Sequence, residues 1–162
     1  MFLAVAETNE TRELPSFSGI ALGISAHLIV KQGSPQSVRL EDDLERISTK
    51  VRGDELIIET FNGNGWNHKF GRVTIYVTVP ELESIAVSGS GDVRSEGRIK
   101  SDNLEARVSG SGGIELEVEA EEMESRISGS GQIALSGNTG SSNISISGSG
   151  RLRAEDLKAK EY

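Results

Sequence analysis

The tetrapeptide Ser-Gly-Ser-Gly occurs four times in the second half of this chain of 162 residues, at a nearly constant spacing. The copies begin at Ser88, Ser109, Ser128 and Ser147, so successive copies are 21, 19 and 19 residues apart. A repeat of about 20 residues is typical of stacked architectures, in which each unit buries its apolar face only against its neighbours. The spacing therefore constrains the fold more than any single residue does.

Apolar and polar residues alternate on both sides of each tetrapeptide, and the alternation runs through it without a break. In the second copy, Leu104, Ala106 and Val108 share one parity with Ile114 and Leu116. A period of two is typical of β-strands, whereas a flexible Ser/Gly linker would carry no such flanking pattern. This half of the chain is therefore predicted to be all-β, a parallel β-helix (β-solenoid) with coils of about 19–21 residues.

The same parity places the serines of every copy outward and both glycines inward. Glycine in a strand usually marks a bend, a bulge or a close approach of backbone, so each coil is expected to turn or narrow at these positions. The segments between coils, 97–103, 119–122 and 137–143, are expected to be outward turns. The structural glycines are Gly89, Gly91, Gly110, Gly112, Gly129, Gly131, Gly148 and Gly150.

Stacking the copies in register predicts columns of equivalent side chains. Two outward columns consist of serines, and Arg94 is expected beside Glu115 as an opposite-charge neighbour. The two inward columns are Val87, Val108, Ile127 and Ile146, and Val93, Ile114, Ile133 and Leu152. Continuous aliphatic columns of this kind bury the interior of a solenoid.

The chain is predicted to have three parts. Residues 81–162 are the solenoid repeats, and residues 15–80 form an N-terminal all-β portion that is packed on the solenoid or continuous with it. Strands are predicted in this portion at 17–32, 38–41, 47–51, 56–58 and 73–79, with a hairpin loop at 52–55. Residues 1–14 are interpreted as the remnant of a signal peptide or a disordered lead, because an apolar stub ends in Ala-Val-Ala. A short apolar tail is the other interpretation of this stub.

The composition fits a narrow core and limits the classes of partner. Hydrophobic residues make up 35% of the chain and aromatic residues 4%, so the core must be built from Ile, Leu and Val. The net charge of −8 argues against nucleic acid or an anionic membrane as a partner. No apolar run is long enough to span a bilayer. The lack of cysteine excludes disulfides and thiolate metal sites.

Several segments taken together resemble a known family. They are Phe17-Ser18-Gly19-Ile20, Gly23-Ile24, Val30-Lys31-Gln32-Gly33, the 73–80 strand with Glu81-Leu82, and the repeated Ser-Gly-Ser-Gly followed by a polar and then an apolar residue. This set is similar to the head GIN domain of the putative auto-transporter adhesins, which are bacterial extracytoplasmic proteins. The resemblance implies a β-helical fold, secretion and an adhesive role, and it carries over no catalytic residue.

The chain departs from that family at two places. The polar residue after the tetrapeptide, often Asp in such proteins, is Asp92 once and then Gly113, Gln132 and Arg151. The sequence also stops where another coil would begin, which is interpreted as a truncated C-terminal end.

No catalytic residue, metal site or cofactor is predicted from the residue pattern. The densest acidic stretch, 115–124, would place Glu115 and Glu117 outward and solvated. A β-helix enzyme that acts on polysaccharides needs two carboxylates in contrasting environments. Such an enzyme therefore ranks third among the functional hypotheses.

Trp66, the only tryptophan, lies in a loop rich in Gly and Asn, two residues before His68. An exposed indole there would stack on a sugar ring. The second hypothesis is therefore a carbohydrate-binding module with ligand contacts at Trp66 and His68. A core plug that caps one end of the solenoid is the other interpretation of this tryptophan.

The leading hypothesis is a non-enzymatic β-solenoid that is secreted or attached to the cell surface and acts as an adhesin or interaction module. Its localisation would be extracytoplasmic, and its partner a protein or a glycan at the cell surface. An exposed terminal coil also favours self-association, because a sheet edge is a template for another strand.

Overall fold

The computed structural model describes residues 9–12, 14–41, 47–60 and 73–161, which form twelve β-strands and no helix. The strands are β1 (Asn9–Arg12), β2 (Gly19–Leu22), β3 (His27–Gln32), β4 (Ser37–Glu41), β5 (Ile47–Arg52), β6 (Glu55–Thr60), β7 (Thr74–Val79), β8 (Ser84–Gly89), β9 (Asp92–Gly110), β10 (Gly113–Gly129), β11 (Gln132–Gly148) and β12 (Arg151–Glu161). All twelve belong to one sheet. The predicted all-β class is confirmed.

The sheet winds into a β-solenoid of about four turns. One part, which we call the front face, stacks β7, β3, the N-terminal parts of β9, β10 and β11, and then β12. The rear face stacks β6, β2, β8 and the C-terminal parts of β9, β10 and β11. These pairings are parallel, as the stacking of successive coils requires. The solenoid fold is confirmed.

The predicted columns are present in the register of the strands. Arg94 pairs with Glu115, and their side chains form an ion pair at 3.6 Å between Nη2 and Oε1. The inward columns also extend beyond the tetrapeptide repeats, because Leu22 pairs with Val87 and Leu28 pairs with Val93. The first coil is therefore made by β2 and β3, which lie in the N-terminal portion and contain no Ser-Gly-Ser-Gly.

The Ser-Gly-Ser-Gly segments form the corner between the rear and front faces, and their two glycines have different roles. The second glycine is buried in the first three copies, and a Cβ on Gly112 would lie 2.2 Å from the carbonyl oxygen of Gly91. The first glycine is exposed and has a positive φ, 118° at Gly110, which residues with a Cβ rarely adopt. The prediction that both glycines face inward is therefore wrong for the first one, which sets the turn.

The segments between coils were predicted as outward turns, and this is wrong. Residues 97–103, 119–122 and 137–143 lie within β9, β10 and β11 and pair in register, with Ile99 opposite Val118. The two extra residues of the 21-residue coil are absorbed by a bulge between Arg94 and Arg98. Gly97 has φ 81° there, and Ser95 Oγ accepts a hydrogen bond from Glu117 N at 3.0 Å. A side chain thus replaces the missing backbone partner.

Antiparallel strands extend both faces of the solenoid at its N-terminal end. The predicted hairpin is β5–β6, with its turn at Gly53 (φ 65°). On the other face, β4 and β1 extend the front face beyond β7.

The side chain of Gln32 connects the first coil to the second by two hydrogen bonds to the backbone of Lys100. Its Nε2 donates to Lys100 O at 2.8 Å, and its Oε1 accepts from Lys100 N at 2.8 Å.

One hydrophobic cluster runs from Phe17 to Leu157 through both the N-terminal portion and the repeats. The division of the chain at residue 80 stays a prediction, since a shared sheet and core neither require it nor exclude it. Of the expected lead 1–14, residues 9–12 form β1. Residues 1–8 and 13 lie outside the described residues.

Candidate functional site

A groove of about 710 Å³ crosses five neighbouring strands of the front face, from β7 through β3, β9 and β10 to β11. The polar and aromatic side chains that line it are His27, Thr74, Tyr76, Ser90, Asp92, Arg94, Ser111, Glu115, Ser130 and Gln132. Neighbouring strands lie about 4.8 Å apart, so the groove is about 20 Å long and follows the axis of the solenoid. Its length suits a chain-like ligand better than a compact one.

Two outward columns supply the lining of the groove. The first begins each front-face strand and contains Thr74, His27, Asp92, Gly113 and Gln132. The second lies two residues further along each strand and contains Tyr76, Ile29, Arg94, Glu115 and Ala134. Because side chains of the same parity leave the same face of a sheet, the stacking alone brings these residues together.

Gly113 interrupts the first column and opens a notch in the floor of the groove between Asp92 and Gln132. Unlike the first glycine of each tetrapeptide, it has no positive φ. A Cβ at Gly113 would meet its nearest atom, the carbonyl oxygen of Gln132, at 3.5 Å, which is ordinary contact. Neither the backbone nor the packing requires a glycine here, so the missing side chain shapes the surface and not the fold.

The basic and acidic side chains of the groove are paired with one another. His27 Nδ1 lies 2.5 Å from Asp92 Oδ2, and Arg94 is paired with Glu115. All four side chains are at least half exposed. The groove therefore offers both hydrogen-bond donors and acceptors with little net charge.

A ladder of exposed serines forms the rim of the groove at the corner. Ser90, Ser111 and Ser130 occupy equivalent places in successive coils, and Ser25 extends the ladder, with its Oγ 2.5 Å from Ser90 Oγ. At the β7 end of the groove, Arg39 of the neighbouring strand β4 lies over the Tyr76 ring, 4.3 Å from the ring centre.

The two predicted ligand residues cannot be compared with this groove. Trp66 and His68 lie outside the described residues, so their role stays a prediction. Asp92, Gly113 and Gln132 are the variable residues that follow the first three tetrapeptides. Their variation is a sequence signal at the groove, although by itself it indicates only a departure from the family. His27 has no such signal, because its contact with Asp92 joins residues that are 65 positions apart.

Three glutamates of the acidic stretch 115–124 are held in ion pairs with arginine. Glu115 pairs with Arg94, and Glu117 and Glu119 both pair with Arg98, at 3.2 and 3.3 Å. No group of three or more His, Cys, Asp or Glu side chains in the described ranges could hold a metal ion. None of the described segments is a helix long and apolar enough to cross a membrane.

Solved structures share this fold. A putative lipid binding protein from Parabacteroides distasonis ATCC 8503 superposes with a TM-score of 0.73 at 22% identity, over 95% of this chain and 76% of its own. A putative adhesin from Parabacteroides merdae ATCC 43184 gives a TM-score of 0.72 at 19% identity, over 94% and 74%. A putative adhesin from Parabacteroides distasonis ATCC 8503 gives 0.71 at 20%, over 94% and 74%.

These likenesses establish the fold, and the family follows from the sequence. No curated protein matches the chain. The model of one family matches residues 16–162, which include the first coil, the front-face groove and all four tetrapeptides. The chain therefore belongs to the family described as putative auto-transporter adhesin, head GIN domain.

Proposed function

We propose that this protein is an extracytoplasmic, non-enzymatic interaction module that binds a neutral, hydroxyl-rich chain in its front-face groove. A glycan at a cell surface is the ligand class with this chemistry. The observation that carries the proposal is the notch at Gly113, where a column of polar side chains is interrupted for no reason of backbone or packing. Membership of an adhesin family supports a role at the cell surface.

The pairing of charges in the groove favours a neutral ligand over a strongly charged one. A polyanion would have to compete with Asp92 and Glu115 for His27 and Arg94, and a polycation would have to compete for the carboxylates. Hydroxyl groups can instead add to these pairs, since carboxylates and guanidinium groups keep free hydrogen-bonding positions. Tyr76 is half-buried and Arg39 covers one face of its ring, so a sugar can pack only against the part of the ring that remains open to the groove.

The surroundings of the two acidic side chains in the groove support the non-enzymatic part of the proposal. Asp92 and Glu115, the two acids of the groove, are both exposed and both paired with a basic side chain. A glycosidase would need one of them in an environment that keeps it protonated at neutral pH.

The test is a glycan array with the whole chain and two matched variants. Gly113→Tyr fills the notch and is expected to lower binding at least tenfold. Ser109→Tyr adds the same side chain at an exposed rear-face position and is expected to leave binding unchanged. Equal binding by Gly113→Tyr and the parent protein would show that the groove is not the site.

Two further measurements separate the alternatives. Loss of glycan binding in Trp66→Ala, with Gly113→Tyr unaffected, would favour the module centred on Trp66 and His68. Cleavage of any polysaccharide in the panel by the purified protein would overturn the non-enzymatic role. Binding to surface proteins and to no glycan would overturn the ligand class.

A further inference from the structure

The front-face groove repeats one arrangement in four successive coils. Each coil contributes three outward positions that alternate along the strand: a serine on the rim, a floor residue two positions later, and a third residue two positions after that. The four sets are Ser25, His27 and Ile29; Ser90, Asp92 and Arg94; Ser111, Gly113 and Glu115; and Ser130, Gln132 and Ala134. Because the strands stack in register, each set lies about 4.8 Å from the next along the solenoid axis.

The rim is the same in all four coils, whereas the floor changes from coil to coil. The four rim serines are exposed, and a hydroxyl group can both donate and accept a hydrogen bond. An identical rim therefore matches a ligand that presents a similar hydroxyl group at every step. The floor differs in size and charge, from His27 and Asp92 to Gly113 and Gln132. It can therefore fix such a ligand at one place along the groove.

The groove is longer along the solenoid axis than across it. Five strands give a length of about 20 Å along the axis, and the groove is lined by all five. One set of three positions spans about 13 Å along its strand. A chain that lay along a single strand would meet one rim serine, whereas a chain parallel to the axis meets all of them.

A ligand whose repeat equals the spacing of the coils can meet every rim serine in the same way. A (1→4)-β-linked glycan is such a ligand, because it is extended and advances by nearly one strand spacing per sugar. Successive sugars of this chain turn over, but both edges of each ring carry polar groups, so the rim finds a partner in either orientation. A (1→4)-α-linked chain curls into a helix and would leave a straight groove after a few sugars.

We propose that the ligand of the groove is an extended (1→4)-β-linked glycan that lies parallel to the solenoid axis, with one sugar over each strand. This inference rests on the proposed glycan-binding function and adds the linkage, the direction and the length of the ligand. Since the groove crosses five strands, it holds about five sugars. The notch at Gly113 gives the sugar over this coil more room than its neighbours have, and it sets the register of the chain.

The test is isothermal titration calorimetry with the whole protein and oligosaccharides of two to seven sugars. The (1→4)-β-linked series of glucose, mannose and N-acetylglucosamine are compared with the (1→4)-α-linked series of glucose. In at least one β-linked series, the affinity is expected to rise by about tenfold or more from two sugars to five and to change by less than about twofold from five to seven. The α-linked series is expected to gain nothing from added length.

Amide chemical shifts show the direction of the bound chain. The pentasaccharide is expected to shift amides in all five strands of the groove, from Thr74 at one end to Gln132 at the other. The disaccharide is expected to shift a smaller set around Gly113. Shifts confined to one coil, whatever the length of the ligand, would overturn the axial direction.

Two serines of one tetrapeptide provide a matched pair of variants. Ser111 lies on the rim of the groove and Ser109 at the end of the rear-face strand, and both are exposed. Ser111→Ala is expected to weaken binding of the pentasaccharide by about threefold to tenfold, the effect of one lost hydrogen bond. Ser109→Ala is expected to bind like the parent protein. Equal binding by the parent and Ser111→Ala would overturn the role of the rim.

The outcomes distinguish this inference from the proposed function on which it rests. Suppose that the glycan array shows binding that Gly113→Tyr abolishes. Equal affinity for every length, a stronger α-linked series, or binding to none of the β-linked series would then overturn the linkage and length and leave the glycan-binding function in place. An array without any bound glycan would overturn both.

Discussion

Gly110 lies directly over Gly89 in the stack, and a Cβ at Gly110 would stand 2.7 Å from the carbonyl oxygen of Gly89. The two residues have similar backbone angles, φ 118° and 104°. A Cβ at Gly89, by contrast, would have no described atom within 4 Å. The two positions therefore require glycine for different reasons. At Gly89 the reason is the positive φ alone, whereas at Gly110 it is the positive φ together with the close approach of the Gly89 backbone.

Replacing each of these two glycines with alanine therefore tests how tightly the corners are stacked. Gly89→Ala is expected to lower the free energy of unfolding by about 1–3 kcal/mol, the strain of a residue held in a disfavoured conformation. Gly110→Ala is expected to cost about 2 kcal/mol more, because its Cβ also forces the neighbouring coil away. Urea denaturation measures both values, and equal losses would mean that the stacking distance has no effect.

Gly112 and Gly113 are adjacent in the chain, and the same substitution is expected to cost much more stability at Gly112 than at Gly113. Gly112→Ala would bring a Cβ to 2.2 Å from Gly91 O and 2.8 Å from Val87 Cγ1, and the expected loss of stability is about 3 kcal/mol or more. Gly113→Ala makes only ordinary contacts and should change stability by less than about 1 kcal/mol. Thermal unfolding followed by circular dichroism shows which of the two variants loses more stability. A larger loss for Gly113→Ala would contradict the assignment of corner and groove glycines.

Ser125 places a hydroxyl group in an apolar column, and removal of this hydroxyl group is expected to stabilise the protein. Its side chain is fully buried between Ala106 and Ile144 in the register, and its Oγ has no hydrogen-bond partner in the described part of the chain. Burial of an unpaired hydroxyl costs about 1–3 kcal/mol. Ser125→Ala should therefore raise the free energy of unfolding by about 1 kcal/mol in a denaturant titration.

The control for this substitution is Ser128→Ala, at an exposed serine of the same strand. Its expected effect is within about 0.5 kcal/mol of zero. If Ser125→Ala destabilised the protein by more than the control, the hydroxyl would have to hold a hydrogen bond in solution.

Much of the repeat region could be predicted from the sequence because its information is local. Alternation assigns Val108 to the interior and Ser109 to the surface, and the 19-residue spacing aligns Val108 with Ile127. The same reasoning failed at Gly110, where positive φ breaks the alternation. It also failed at 97–103, because a bulge keeps these residues paired although their number differs from coil to coil.

The groove could not be predicted from local sequence patterns. It depends on the stacking of β3 under β9, and this first coil contains no tetrapeptide that would have revealed its register. The pairing of His27 with Asp92 follows from that stacking and from no feature of either segment alone.

The sequence by itself determined the period of the solenoid, the direction of most side chains and the columns they form, because alternation and spacing act over a few neighbouring residues. Only the tertiary structure decided which glycine turns the corner and where the notch at Gly113 opens. These features depend on contacts between distant segments, such as Ser25 with Ser90. The register of such contacts is set when the coils stack, and a single coil does not contain it.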